Sequence, residues 1–469
     1  MKYSNNKVQD LKIAYIGGGS RGWAWGLMSD LASAEDISGQ VALYDIDFEA
    51  AKANEVIGNR YNDLPDCRSK WSYKAEQEIG DALTGADFVV ISILPGTFKE
   101  MESDVHTPEK YGIWQPVGDT VGPGGVIRAL RTVPMFETIA KAIRQFCPKA
   151  WVINYTNPMT VCMRTLYKVF PEIRAFGCCH EVFGTQKLLA AALEDILGIE
   201  KPSYKDVKVN VVGVNHFTWL TDARYGNVDV MEVYREFCEK YHETGFLKGK
   251  DDNWMNNVFE CTNRVKMDLF RKYGAIAAAG DRHLAEFSEG NQYLKSPAQV
   301  RAWGFGLTPV SWRWKNLAER QEKSRKLLSG EMPVTISNTG EEGVNQMRAL
   351  LGLHNLVTNV NIPNYGQIPN LPLGAVVETN AVFRDDTVTP VFAGNIPMSI
   401  FGQISRILCE QELVVEAALE RDLEKAYTAF RNDPLVNLSD TDARALFDEM
   451  VENTQAYLTE YAILKKEWA

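Results

Sequence analysis

Hydrophobic and polar positions along the first two hundred residues fall into blocks of two kinds. Short apolar runs at Lys12–Ile16, Val41–Asp45, Asp87–Leu94, Trp151–Asn154 and Ile173–Cys178 read as buried strands. The stretches between them are long enough for crossover helices, the first predicted over Trp23–Ala34. This alternation predicts an α/β fold with a doubly wound parallel sheet covered by helices on both faces. A Gly, Pro and Ser cluster at Gly198–Ser203 breaks the pattern, and the run Val207–His216 opens a region of mixed strands and longer helices. A boundary is therefore expected near residue 200, with one domain over 1–200 and a mixed α/β domain over 201–469. The segment Ala443–Ala469 repeats apolar residues (Leu446, Met450, Tyr457, Tyr461, Leu464) at helical spacing and predicts a terminal amphipathic helix.

Composition narrows the partners. The 469 residues are 45% hydrophobic and 24% charged, which excludes a disordered or collagenous chain. The net charge of -11 argues against a nucleic-acid partner. The start, MKYSNNKVQD, lacks a signal core, and no apolar run reaches the ~18 residues that span a bilayer, so no membrane partner and a cytoplasmic location are expected. Eight scattered cysteines suit a reducing compartment.

Gly17-Gly18-Gly19-Ser20-Arg21-Gly22 satisfies G-x-G-x-x-G between a predicted strand and a predicted helix. In that context Gly17 permits the tight turn, Gly19 the approach of a pyrophosphate and Gly22 close helix–strand packing, while the helix amino end presents N–H groups to the anion. Asp45, at the end of the next strand, can accept both ribose hydroxyls of NAD and would repel the 2′-phosphate of NADP; Asp47 is a weaker candidate. NAD is the favoured ligand, although a flavin would use the same geometry.

Cys179 and His216 each follow a predicted strand, and strand ends of an open α/β sheet converge where ligands bind. A thiolate with an imidazole would suit a divalent transition ion, and equally these residues could be a small buried hydrophobe and a hydrogen-bonded core histidine. Asn157 in Asn154-Tyr155-Thr156-Asn157-Pro158 offers an amide at the same edge, as a substrate donor or as a turn former. Asp281-Arg282-His283 contributes titratable groups from the second half, and Gly118–Gly125 is a Gly-rich loop that could close over a ligand or be a long turn.

Together the segments IAYIGGGSRGW, LYDID, GDTVGPGG, NYTNP, GCCHEV, GVNHFTW and GDRHLAEF resemble glycoside hydrolase family 4, the NAD- and manganese-dependent glycosidases related in fold to lactate and malate dehydrogenases. The resemblance covers almost the whole chain and is nearest to the α-galacturonidase branch. It implies a Rossmann-type first domain, Cys179 and His216 as ligands of Mn²⁺ or a similar ion, Asn157 as a substrate contact and His180 at the proton donor's position. The general base of many members is a tyrosine with no counterpart here, which leaves Asp281 or His283. His180 after the metal cysteine, and Gly122-Pro123 where the phosphate-recognising branch has an arginine, disfavour a 6-phosphosugar. The implied chemistry is oxidation at sugar C3 by NAD, removal of the C2 proton beside the metal, loss of the C1 substituent, and addition of water with the steps reversed. Expected partners are a short α-linked galacturonide and a second copy, as homodimer or homotetramer. Alternatives are family 4 α-glucosidase, α-glucuronidase or α-galactosidase activity, an NAD-dependent 2-hydroxy-acid dehydrogenase, or an NAD-sensing module.

Overall fold

The computed structural model describes residues 1–247, 261–337 and 339–462. The strands are β1 (Lys2–Ser4), β2 (Lys7–Ile16), β3 (Ile37–Tyr44), β4 (Trp71–Glu76), β5 (Phe88–Ile91), β6 (Trp151–Asn154), β7 (Arg174–Gly177), β8 (Lys208–Val214), β9 (Phe217–Tyr225), β10 (Val228–Asp229), β11 (Ile276–Ala277), β12 (Leu356–Pro363), β13 (Val376–Arg384) and β14 (Thr387–Pro390). The helices used below are α1 (Trp23–Ser33), α2 (Phe48–Arg60), α3 (Phe98–His106), α4 (Gly122–Phe146), α5 (Met159–Val169), α6 (Glu181–Leu197), α7 (Arg264–Tyr273), α8 (Asp281–Glu286), α9 (Val310–Ser329), α10 (Gly343–Leu350), α11 (Met398–Glu420) and α12 (Asp440–Asn453).

A parallel sheet in the order β4-β3-β2-β5-β6-β7 forms the centre, a doubly wound nucleotide-binding topology whose order reverses between β2 and β5. The period of two along β2 explains the layers. Ile13 and Tyr15 pack with α1, α2 and α10 on one face, while Ala14 and Ile16 pack with α4 and α5 on the other. β4 carries the same alternation, with Trp71, Tyr73 and Ala75 buried, a signal the reading by apolar runs passes over.

The sheet does not end with the first two hundred residues. β12 pairs antiparallel with β7 at Asn361 and Gly177, and β13 and β14 continue outward. Residues of the second half thus complete the sheet of the first. A smaller antiparallel sheet, β8 to β11, packs through Val212, Val214, Phe217 and Trp219 into a core shared with α4, α11 and α12. The expected strand Val207–His216 ends at Val214, and His216 stands in the two-residue connection to β9 with a left-handed φ of 63°. The terminal helix stops at Asn453, followed by a 3₁₀ turn; Leu446, Met450 and Tyr461 are core residues, and Leu464 lies outside the described residues. No described helix is long and apolar enough to cross a membrane.

Candidate active site

At the carboxyl edge of β2 the chain turns at Gly17, φ 95°, where a Cβ would lie 2.0 Å from the Ser92 carbonyl oxygen, so only glycine fits. The N–H groups of Gly17 and Gly18 both donate to the Tyr44 carbonyl at 2.9 Å. Gly19 N–H donates to Asp45 Oδ2 at 2.8 Å, and a Cβ there would meet Ala50 at 2.8 Å. Asn54, held by the Trp25 indole, donates to the carbonyls of Gly18 and Ser20. Arg21 pairs with Asp47 at 3.4 Å. α1 starts after Gly22 with no capping side chain and no acid in its first turn, which leaves its N–H groups for an outside anion. Tight turn, close backbone, open helix end and carboxylate together fit a dinucleotide.

Across the cleft, the loop after β5 is fixed from below. Ile93 N–H donates to Thr156 Oγ1 at 2.9 Å, and Arg131, fully buried with Asp104, donates to the Pro95 carbonyl. The same β6 edge carries Asn157, whose carbonyl accepts from Arg128 Nε at 3.2 Å and whose Nδ2 lies 3.4 Å from Asp119 Oδ2. Asn157 Oδ1 is buried and has no hydrogen-bond partner among the described residues, so it is open to a ligand hydroxyl.

Asp119, His216 and His283 bring one ligand atom each to within 4.8 Å of one another, a set able to hold a metal ion. His216 is 4% exposed and lies against His283 with ring centroids 3.8 Å apart. The Thr120 hydroxyl donates to Asp119 Oδ1 at 2.7 Å and sits 2.9 Å from His216 Nδ1. Its single proton being spent on the carboxylate, Nδ1–H of His216 donates to Thr120, and Nε2 keeps a lone pair for a cation. Burial, and then the neighbouring His283, push His216 down to about 3, so the ring is neutral. Asp119 resists burial: His283 and His216 when protonated, Arg128 and the Thr120 hydroxyl bring it down to about 2.

Around this group lie the residues of the CCHE segment. Glu181 Oε2 accepts from Gly280 N–H at 2.7 Å, and Oε1 stands 4.0 Å from His283 Nε2. Burial works against its charge, but His283, His180 and His216 when protonated, with the Gly280 N–H, outweigh it and bring Glu181 down to about 2. His180 Nδ1 lies 3.3 Å from Glu341 Oε1, an ion-pair distance. Burial opposes its charge, yet Glu341 and Glu181 raise it to about 9, so it is protonated at neutral pH. The Cys179 thiol is pushed well up by burial and by Glu378 and Glu181. Cys179 is not a member of the three-residue group around His216.

Asp281 is taken up elsewhere. Its two oxygens accept from the N–H groups of Val265 and Lys266, closing the amino end of α7, and burial lifts it to about 6. Of the two candidate bases the structure brings only His283 to the group.

Residues 12–195 match the family 4 glycosyl hydrolase profile and residues 211–436 its C-terminal domain. The chain belongs to glycosyl hydrolase family 4. It is 59% identical to an α-galacturonidase of Thermoanaerobacterium saccharolyticum over 99% of this chain and 100% of that one. A crystal structure of a Bacillus subtilis protein, 53% identical, superposes with a TM-score of 0.89 over 94% of this chain and 100% of the other. A 6-phospho-α-glucosidase from gut microorganisms, solved in complex with NAD and glucose-6-phosphate, is 25% identical with a TM-score of 0.76, covering 96% and 99% of the two chains.

Four members of this candidate site were not singled out in the sequence: Asp119, Thr120, Glu181 and Glu341. Asp119 and Thr120 carried a signal, a carboxylate and a hydroxyl side by side in a Gly-rich loop. Glu181 adjoined a candidate histidine. Glu341 carried none, since only folding brings the segment before α10 against His180.

Proposed function

We propose that this family 4 hydrolase cleaves short α-linked galacturonides, with NAD on the Gly17–Gly22 turn and Asp45 at its ribose, and Mn²⁺ or a similar divalent ion at His216. When bound, NAD supplies a reversible hydride acceptor for sugar C3, and the ion a Lewis acid for the neighbouring oxygens. The other steps belong to side chains. Cys179 and His216 would hold the ion, with Asp119 near enough to His216 to join in. The Cys179 proton, favoured by burial, would have to be given up for the thiolate to bind a cation. Asn157 Oδ1 accepts a hydrogen bond from a sugar hydroxyl. His283, kept neutral by burial, takes the C2 proton, and Glu181 behind it stabilises the imidazolium. His180, protonated through Glu341, delivers its proton to the leaving oxygen.

The observation that carries the substrate is the 59% identity along the whole chain with an α-galacturonidase. The electrostatics agree, because the fields of Arg128, Arg282 and Arg313 all reach Asp119 and favour an acidic sugar. All eight cysteines are free, which suits a reducing, cytoplasmic setting. The test is a panel of nitrophenyl α-galacturonide, α-glucuronide, α-galactoside and α-glucoside with NAD and Mn²⁺. The galacturonide should be turned over preferentially, with no net NADH. Preference for a neutral sugar would overturn the substrate, and NADH accumulating with product would point to a dehydrogenase.

A further inference from the structure

Helix α9 runs from α3 to α2 past the amino end of α1. At its amino end Val310 N–H donates to His106 Nε2 of α3 at 3.1 Å, and Trp314 meets Phe98 of α3 edge-on at 5.5 Å. At its carboxyl end Arg60 of α2 donates to the carbonyls of Leu327 and Leu328. Helices α2 and α3 follow β3 and β5, the strands on either side of β2, so α9 bridges the Gly17–Gly22 turn. For a bridging helix it is poorly anchored by apolar contacts: of its twenty residues only Val310, Ser324 and Leu327 are buried.

What its inner face offers is positive charge. Arg320 Nη1 donates to the Arg21 carbonyl at 3.3 Å and lies 2.8 Å from where a Cβ of Gly22 would be. Arg313, seven residues earlier and hence on the same side of the helix, lies within the electrostatic reach of Asp119. Lys323 and Arg21 line the same cavity of about 600 Å³ as Arg320 and Gly22; α9 also brings Glu319 to it, and Asp30 and Glu341 stand on its other walls. A guanidinium beside the amino end of α1 adds its charge to the positive end of that helix, and the two together favour an anion at the turn. We propose that α9 is a clamp on the cofactor, with Arg320 the charge partner of the dinucleotide's pyrophosphate. The inference rests on NAD being the cofactor. It adds a binding residue from the second half of the chain to the glycine-rich turn of the first.

The test is NAD and ADP-ribose binding by calorimetry on the full chain without metal or sugar. Arg320→Gln should weaken both about tenfold or more, the loss expected for one hydrogen-bonded charge, and should flatten the dependence of affinity on salt. Arg320→Lys, which keeps the charge, should recover much of the loss. Arg325→Gln, on the exposed side of α9, should bind as the parent does. Unchanged NAD affinity in Arg320→Gln, or a loss with the parent's salt dependence, would overturn the clamp. A parent protein that fails to bind NAD would instead refute the cofactor reading before any variant is made, and the clamp with it.

Discussion

The glycine-rich turn and the histidine group stand at the same carboxyl edge of one sheet, yet they are built differently. The turn is a local object: Gly17 to Gly22, Asp45 and Asn54 come from one β-α-β-α stretch and satisfy one another through short backbone contacts. The histidine group is assembled across the molecule, with Asp119 before α4, His216 in a hairpin of the second sheet and His283 on α8. A local site resists rearrangement elsewhere, whereas an assembled one reports on how the two halves dock. A hydrolase that must hold a cofactor through every turnover, while admitting and releasing sugars, gains from having both.

The sharpest way to test the contrast is to strike each region and ask whether the other notices. His216→Ala should remove the bound ion together with at least about 10³-fold of the activity, because the lost interaction is with the metal that polarises the reacting oxygens. Metal analysis and NAD titration read this out, and NAD affinity should stay near the parent's. Gly17→Ala is the reciprocal strike. It forces a Cβ onto the Ser92 carbonyl at a positive φ, at a cost of about 1–3 kcal/mol in stability, and should abolish NAD binding while leaving metal content intact. If either change removes both ligands, the two regions are one cooperative unit.

A smaller effect separates the proton donor from its support. His180 is raised to about 9, so its protonated form, and the stability of its pair with Glu341, are fully present below its ordinary 6.5 and are lost as pH rises through 9. Activity should therefore fall on an alkaline limb near pH 9. Glu341→Gln should move that limb toward 6.5 with a modest change in KM. A limb that does not move would remove Glu341 from the acid's support.

The parallel-sheet class and five of its strands, the glycine turn with Asp45, and the place of Asn157 after β6 were readable because each is encoded by neighbours: a β-branched run, a glycine where a side chain would collide, a carboxylate at a strand end. Tertiary structure decided the rest. Asp281 and His283 are two residues apart and equal as candidates on paper, but the helical turn sends one to close α7 and the other to face His216. Strands β12 to β14 joined a sheet begun hundreds of residues earlier, and Glu341 met His180 only through that docking. Local sequence fixes dihedral preferences and faces of elements. Which charged groups end up face to face depends on how those faces pack, and no spacing along the chain contains that distance.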